Sequence, residues 1–306
     1  DSATYVNMKA NPHYWRSGQP YLDAVEVVVI AEDATRIEAL QSGSEDFVDN
    51  ITGSETLLMT SAETQPFFIP YGGWVAITCF DNVAPFNNPD VIEAMKYAAN
   101  RQAIMAVVAP GVNIISPDVP IPPHDEFFPA GLTPKPYDPD RARSLLKKAG
   151  FAKGLDITCY AYEGDKLDTA VSYKSTAASA GIDVDVVNWP HATFFSEIFL
   201  KKPCIGISVA RLHIAQALPE VFGSKGALNL THYDSTAFDN LVTSATGSTD
   251  ATRQKTLFGD ALELLNNTGA CVIPGWEHQE YGMSNKLTGV KAANGGQVYL
   301  REAYFV

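Results

Sequence analysis

Three apolar stretches decide the fold: residues 155–162 (LDITCYAY), 182–187 (IDVDVV) and 205–209 (IGISV). β-Branched and aromatic side chains are frequent in all three, which favours strands. The stretches between them, at 168–179 and 193–200, predict helices. Strands that alternate with helices over short connections are typical of right-handed β-α-β crossovers. This part of the chain therefore predicts an α/β fold with a mostly parallel sheet and helices on its faces.

Two helices are predicted before this region. Asn88 and Asp138 each precede a proline and an acidic residue, a pattern typical of an N-cap and a first helical turn. Apolar residues recur at helical spacing over 91–108, which predicts one continuous helix; the helix that follows Asp138 would end at Gly150. Between the helices, the proline-rich segment 110–139 predicts an ordered loop without regular secondary structure.

The front of the chain predicts a short β-α-β unit, with a strand at 24–30, a helix at 33–41 and a strand at 46–48. The first of these strands contains an almost unbroken valine run, which suits a strand covered on both faces, as in a parallel sheet. The other predicted elements are strands at 74–80, 270–273 and 298–305 and helices at 235–245 and 252–266.

Charge and composition exclude several classes of function. The net charge of -13, from 35 acidic and 22 basic residues, repels nucleic acid and anionic lipid surfaces. No apolar run approaches the roughly 20 residues that cross a bilayer. The spacing of cysteines and histidines predicts no metal site, and no motif implies a cofactor. The sequence leaves the disulfide state of the four cysteines open: Cys79, Cys159, Cys204 and Cys271.

Short motifs along the chain resemble those of one family. Residues 11–15 (NPHYW), 21–25 (YLDAV) and 39–46 (ALQSGSED) match the patterns NPxYW, YLDxV and ALxxGxxD. In these motifs the chain resembles the family 5 bacterial solute-binding proteins, which serve importers of peptides, nickel chelates, opines and some sugars. Further motifs in the family's order are 85–91 (PFNNPDV), 137–139 (YDP), 145–151 (LLKKAGF), 229–233 (NLTHY) and 238–241 (FDNL).

The resemblance implies periplasmic-binding-protein-like type II lobes. Residues 1–78 would be a domain I remnant, 79–275 domain III, and 276–306 the return to domain I. The start of domain I and all of domain II precede the NPxYW motif in the family. They are absent from this sequence, which would be either a fragment or a shortened natural chain. Segments near 74–80 and 274–277 would be the two hinge crossings, and hinge closure would trap the ligand between the lobes.

The resemblance also implies a function: binding of a peptide-like or other small amphiphilic solute between two lobes, without catalysis. The implied partners are that solute and the membrane permease of an ABC transporter, and the protein would be a monomer. Its implied location is periplasmic or extracellular, with lipid anchoring as one alternative in a Gram-positive source. Dipeptide-binding relatives carry a GDPD-like loop where this chain has residues 212–215 (LHIA), which argues against the dipeptide mode.

Candidate ligand contacts lie on the predicted crossings and in loops after strand ends, where open α/β sheets leave crevices. Arg211 follows a predicted strand and would either hold a ligand carboxylate through two hydrogen bonds or pair with a surface acid. Trp74 and Trp276 would either stack on a solute or fill the core. The complete set is Tyr71, Trp74, Phe80, Asn82, Arg211, His213, Trp276 and His278.

A serine hydrolase is the alternative function. Residues 206–210 (GISVA) approximate the GxSxG nucleophile motif around Ser208, and Asp239 or Asp250 and then His278 follow in α/β-hydrolase order. Alanine replaces the last glycine of the motif, and no HGGG-type oxyanion segment precedes it. A chance match is therefore the favoured interpretation.

Overall fold

The computed structural model describes residues 5–30, 32–51, 59, 61, 63–112, 114–293 and 297–306. The chain forms two compact units: unit 1 combines Asp1–Gly72 with His278–Val306, and unit 2 is Gly73–Glu277. The boundaries lie close to the predicted divisions at 78 and 276. The assignment of the units to the family's domains I and III stays a prediction.

Two long strands run from one unit into the other: β4 (Thr64–Cys79) and β8 (Cys271–Ser284). Unit 1 further contains β1 (Tyr5–Lys9), β2 (Ala24–Val28), α1 (Asp33–Ser42), β3 (Phe47–Ile51), β9 (Leu287–Thr288), β10 (Lys291–Ala293), β11 (Gln297–Tyr299) and β12 (Tyr304–Phe305). Unit 2 further contains α2 (Pro89–Tyr97), α3 (Arg101–Val108), α4 (Pro139–Lys148), β5 (Leu155–Ala161), α5 (Asp165–Ala177), β6 (Ile182–Asn188), α6 (His191–Glu197), β7 (Cys204–Ala210), α7 (Ile214–Ala217), α8 (Thr236–Thr246) and α9 (Ala251–Thr268).

One six-stranded sheet is mixed, with the strands in the order β3-β8-β4-β7-β5-β6, and its last three strands lie wholly in unit 2. β5 pairs in parallel with β6 and with β7, as expected for strands joined through helices. β4 pairs antiparallel with β7, from Gly73 opposite Ala210 to Cys79 opposite Cys204. The predicted α/β alternation over 155–209 is confirmed, but the prediction of a mostly parallel sheet is wrong: β5 pairs in parallel with its two neighbours, whereas β4 pairs antiparallel with β7.

The helix predicted over 91–108 is wrong in one respect: the structure contains two helices, α2 and α3. The side chain of Asn88 accepts a hydrogen bond from the backbone N of Asp90 and caps α2. Asn100 caps α3 in the same way, accepting from the backbone N of Ala103 at 3.1 Å. A second N-cap requires a break in the helix, and the apolar periodicity continues across that break because both helices pack on the same core.

The proline-rich loop between α3 and α4 is held by buried polar contacts. Arg101, the first residue of α3, donates two hydrogen bonds to the Asp118 carboxylate, at 2.9 and 2.7 Å. Both side chains are almost fully buried. Asp118 also accepts from the backbone N of Ile273 in β8 at 2.8 Å. The described residues of the loop are therefore ordered without regular secondary structure, as predicted, apart from one isolated bridge between Ile115 and Gly275.

In unit 1 the β-α-β unit predicted at the front of the chain is not formed. β2 pairs antiparallel with β1 in a separate two-stranded sheet, whereas β3 pairs antiparallel with β8. Val27, Val28 and Val29 are exposed, so the valine run is not covered on both faces. β-Branched residues fit any pleated, half-buried strand, so the run specified a strand without specifying its partner.

The end of unit 1 also differs from the prediction. The single strand predicted over 298–305 is two short strands: β11 pairs with β10, and β12 pairs with β9. No described helix has the length and apolar character that a membrane crossing requires.

We expect Asp118→Ala to lower the free energy of unfolding by about 3–5 kcal/mol, because the substitution leaves the buried Arg101 guanidinium without its carboxylate. Urea unfolding followed by circular dichroism measures the change. Glu93→Ala is the control, since Glu93 forms an exposed pair with Arg141 and its loss should cost less than about 1 kcal/mol. Equal losses in the two variants would contradict a structural role for the buried pair.

Candidate functional site

The carboxyl ends of β5, β6 and β7 form one edge of the unit 2 sheet, because β5 is parallel to both of its neighbours. We call this the carboxyl edge of unit 2 and define it by the residues that immediately follow these strands. Tyr162 follows β5, His191 begins the helix after β6, and Arg211 follows β7. Ligands of open α/β sheets bind at such edges.

Arg211 is held in place by the proline-rich loop. Its guanidinium donates to Asp125 Oδ2 at 3.1 Å, and both side chains are largely buried. His124 Nε2 lies 3.4 Å from the same guanidinium. Burial and the adjacent Arg211 charge lower the pKa of His124. Arg211 therefore pairs with an acid, one of the two roles expected from the sequence, and it does so at the carboxyl edge.

A second charged group lies at the same edge and was missed from the sequence. Lys166, in the first turn of α5, forms an ion pair with Asp165, and its Nζ lies 5.3 Å from the centre of the Tyr162 ring. Burial alone would lower the pKa of Lys166, but the charges of Asp165, Tyr162 and Glu277 more than offset it and raise the pKa. Burial also raises the pKa of Tyr162.

Gly73 leaves room for the Glu277 carboxylate beside this ion pair. A Cβ atom at Gly73 would lie 3.0 Å from Glu277 Oε1 and 3.1 Å from the carbonyl oxygen of Val209. The absence of a side chain at Gly73 therefore lets the Glu277 carboxylate lie directly over β4. In the sequence, the only indication of these charges is the segment after β5 (EGDK), which contains acidic and basic residues.

Aromatic rings cover the same edge. Tyr162 stacks on His191, with ring centroids 4.6 Å apart and planes 12° apart. Phe194 packs edge-on against Tyr162 at 4.8 Å, and Phe195 lies 5.9 Å from it. Charged groups and aromatic faces together can hold a solute that has both polar and apolar parts.

The two nominated tryptophans of unit 2 belong to the core. Trp74 is 1% exposed and stacks on Phe222, with ring centroids 6.2 Å apart. Trp276 is 0% exposed, and its indole N–H has no hydrogen-bond acceptor among the described residues. Both side chains are covered by protein in this structure, and a direct ligand contact from either stays a prediction.

His213 caps the single-turn helix α7. Its Nδ1 accepts from the backbone N of Ala215 at 3.2 Å, so the proton of the neutral ring is on Nε2. The ring also packs edge-on against Phe127, with centroids 6.0 Å apart. His213 therefore has a structural role, and ligand contact from it stays a prediction.

Phe80 and Asn82 lie in a different part of unit 2. Phe80 is buried and stacks on His232, with ring centroids 3.7 Å apart. Asn82 lines a cavity of about 790 Å³ together with Asp81, His232 and Asp234. Burial, followed by the nearby Asp234 charge, raises the pKa of Asp81 to about 6. These residues form a separate polar cavity.

Tyr71 and His278 lie together in unit 1. Their ring centroids are 6.4 Å apart, and Phe68 lies 5.8 Å from His278 on β8. Tyr71 has a φ of 54°, an uncommon backbone conformation for a residue with a side chain. Burial lowers the pKa of His278. The structure thus brings these two nominated residues into one aromatic cluster.

Residues 1–202 match the family model described as "Bacterial extracellular solute-binding proteins, family 5 Middle". The chain belongs to this family. The predicted family membership is thereby confirmed. The family's description also supports a location outside the cytoplasm, periplasmic or extracellular.

A curated relative of this family 5 chain is the glutathione-binding protein GsiB of Escherichia coli (strain K12), 32% identical over 157 residues. That match covers 51% of this chain and 30% of the relative. The chain therefore spans under a third of the length of the curated relatives that it matches.

Two solved structures show the fold of this family 5 chain. The binding protein AgaA of Agrobacterium tumefaciens R10, in complex with agropinic acid, matches with a TM-score of 0.86 and 19% identity, over 100% of this chain and 65% of its own. DppA of Helicobacter pylori, in complex with the peptide STSA, matches with a TM-score of 0.83 and 22% identity, over 97% and 60%. The periplasmic-binding-protein-like type II fold is confirmed.

The hydrolase alternative for this family 5 chain is wrong. Ser208 lies inside β7, opposite Val75, and not at the strand-to-helix turn that a nucleophile elbow requires. Asp239 accepts from the backbone N of Ser224 at 3.1 Å, and Asp250 caps α9 by accepting from the N of Arg253. Both carboxylates have structural partners. His278, the remaining member of the proposed triad, lies in the aromatic cluster of unit 1.

We expect Asp81→Asn to stabilise the protein at pH 7.5 and to have no effect near pH 4. A carboxyl whose pKa is raised in the folded state stabilises the fold below its ordinary pKa of 3.8, and this contribution is lost as the pH rises through about 6. Because Asp81 is partly exposed, the gain should stay below about 1 kcal/mol, roughly 2–3 °C in Tm.

Thermal unfolding at the two pH values measures the effect. Asp183→Asn, at an exposed position of β6, is the matched control and should shift Tm equally at both. An Asp81→Asn variant that is no more stable than the wild type at pH 7.5 would contradict the expected cost of the charge.

Proposed function

We propose that this chain supplies part or all of the solute-binding component of an ABC importer and binds a peptide-like, amphiphilic solute without catalysis. The observation that supports this most directly is the carboxyl edge of unit 2, which combines charged and aromatic side chains in a chain of the family. Its side chains include a guanidinium, a lysine, carboxylates and stacked rings. Such a surface suits recognition and not bond cleavage.

The charges at this edge favour a zwitterionic solute. Arg211 and Lys166 provide cations, and Asp165 and Glu277 provide anions. Asp125 fixes the orientation of Arg211, and a guanidinium has five N–H donors in a planar fork that matches a carboxylate. We assign a terminal carboxylate of the solute to Arg211. The aromatic faces of Tyr162 and His191 would then contact apolar parts of the same solute.

The named relatives support a solute of this class. The GsiB relatives are glutathione-binding proteins, and the structural neighbours include complexes with the peptide STSA and with agropinic acid. Nothing more specific about the solute of this chain follows from these names. That the solute is held between two lobes, in a mode other than that of dipeptide-binding relatives, stays a prediction.

The partners follow from the same proposal. A solute-binding component delivers its ligand to the membrane permease of its importer, so the permease is the proposed protein partner. The chain would act as a monomer outside the cytoplasm, either free or lipid-anchored in a Gram-positive source. The net charge of -13 disfavours nucleic acid as a partner.

Native mass spectrometry tests the binding function. Protein purified without added ligand should carry a non-covalent small molecule that is released by mild denaturation, because solute-binding proteins often retain their ligands. Incubation with glutathione or with the peptide STSA should add the mass of one molecule. A chain that retains no ligand and takes up none from a panel of small peptides would contradict the proposal.

Arg211→Ala tests the assigned carboxylate contact. The wild type should bind STSA at least tenfold more tightly than its C-terminal amide, because a hydrogen bond to a charged group contributes about 1.5–3 kcal/mol. The variant should lose this preference while its affinity for the amide changes little. Isothermal titration calorimetry measures both affinities.

Arg143→Ala is the matched control for this experiment. Arg143 is an exposed arginine of α4 that pairs with Asp140 and donates to the carbonyl oxygen of Ser179, so its removal should leave the preference for the free acid intact. An Arg211→Ala variant that still discriminates acid from amide would remove Arg211 from the site without affecting the broader proposal.

A further inference from the structure

Three thiols form a row across adjacent strands of unit 2. Cys79 ends β4 and lies directly opposite Cys204, the first residue of β7. Tyr160 of β5 pairs with Ile205, which places Cys159 beside Cys204 on the other side of β7. All three side chains are buried in the same hydrophobic core.

The backbone around Cys79 and Cys204 suits a covalent bond between them. The backbone N of Phe80 donates to the carbonyl oxygen of Pro203 at 2.9 Å, whereas the N of Cys79 points away from β7 and donates to Ala270. Cys79 and Cys204 are therefore a non-hydrogen-bonded antiparallel pair. Cα atoms of such pairs are about 4.5 Å apart, and side chains are closest there. That separation lies within the range of about 4.4–6.8 Å found in disulfides.

The other two cysteines are less suitable partners. Cys159 lies on β5, which pairs with β7 in parallel and not in the antiparallel, non-hydrogen-bonded arrangement that brings side chains closest. Cys271 Sγ lies 3.9 Å from the carbonyl oxygen of Asp118 and is outside the core cluster that contains the other three. Among the described residues, no group of three or more His, Cys, Asp or Glu side chains is placed to hold a metal ion. Metal binding therefore does not explain the row.

The location of the family outside the cytoplasm favours oxidation of the Cys79 and Cys204 thiols. Disulfides form and persist in oxidising compartments, and the four cysteines are all free thiols in this structure. We propose that Cys79 and Cys204 form a cross-strand disulfide in the exported protein. The assignment depends on the strand register and on the location of the family, and not on the identity of the solute.

The chemistry requires an external oxidant. The two thiols lose two protons and two electrons as the sulfur–sulfur bond forms, and a disulfide of an oxidoreductase or of oxidised glutathione accepts them and becomes two thiols. The exchange proceeds through a mixed disulfide, which needs an accessible thiolate. Because both thiols are buried in the folded protein, oxidation occurs before β4 and β7 close or during transient opening.

Refolding in a redox buffer tests the proposal. The urea-unfolded, reduced chain is diluted into reduced and oxidised glutathione, alkylated with iodoacetamide and digested for mass spectrometry. We expect one linked peptide pair that joins Cys79 to Cys204, with Cys159 and Cys271 alkylated. The oxidised protein should melt roughly 5–10 °C above the reduced protein, because the bond closes a long loop.

Matched variants separate the bond from general effects of cysteine loss. Cys79→Ser should abolish the redox dependence of Tm, and Cys271→Ser should leave it unchanged. The comparison of oxidised and reduced wild type stands alone if Cys79→Ser does not fold. Four alkylated cysteines after oxidative refolding, a linked peptide that joins Cys204 to Cys159, or an unchanged Tm would overturn the proposal.

Discussion

The antiparallel pairing of β4 with β7 is the constraint on which the rest of unit 2 depends. It sets Gly73 opposite Ala210 at one end, so that Arg211 leaves the sheet at the carboxyl edge. At the other end it sets Cys79 opposite Cys204, inside the core. A shift of one residue in this register would turn every side chain of β7 to the opposite face. Both the position of Arg211 and the pairing of Cys79 with Cys204 would then be lost. The position of the candidate site and that of the thiols thus follow from one register.

Polar contacts in the loop between α3 and α4 support this sheet from the side. Asp118 joins the start of α3 to β8, and Asp125 joins the same loop to Arg211. The loop is therefore both a structural clamp and a support for the guanidinium to which we assign the carboxylate. A binding group positioned by an ordered loop keeps its orientation without a bound solute, which lowers the entropic cost of binding.

The sequence was sufficient where local chemistry decides the structure. Asn88 and Asp138 act as helix caps as predicted, and the strands around Cys159 and Ser208 lie where the apolar runs indicated. The sequence did not predict the contacts that depend on residues distant in the chain. The valine run of β2 did not specify an antiparallel partner, and nothing in the sequence brings Glu277 beside Lys166. The assignment of Arg211 to a strand end succeeded because that position depends only on the length of β7.

The register of unit 2 has a kinetic consequence. All of α2 to α6 and the strands between them lie between β4 and β7 in the chain, so this pairing joins segments that are distant in sequence. The contact between Asp118 and Ile273 joins residues that are even farther apart. Contacts so remote in sequence require loop closure before they contribute stability, which slows folding. Apolar strand edges stay uncovered until these contacts form, so we expect this topology to aggregate during refolding more readily than a helical bundle of the same size.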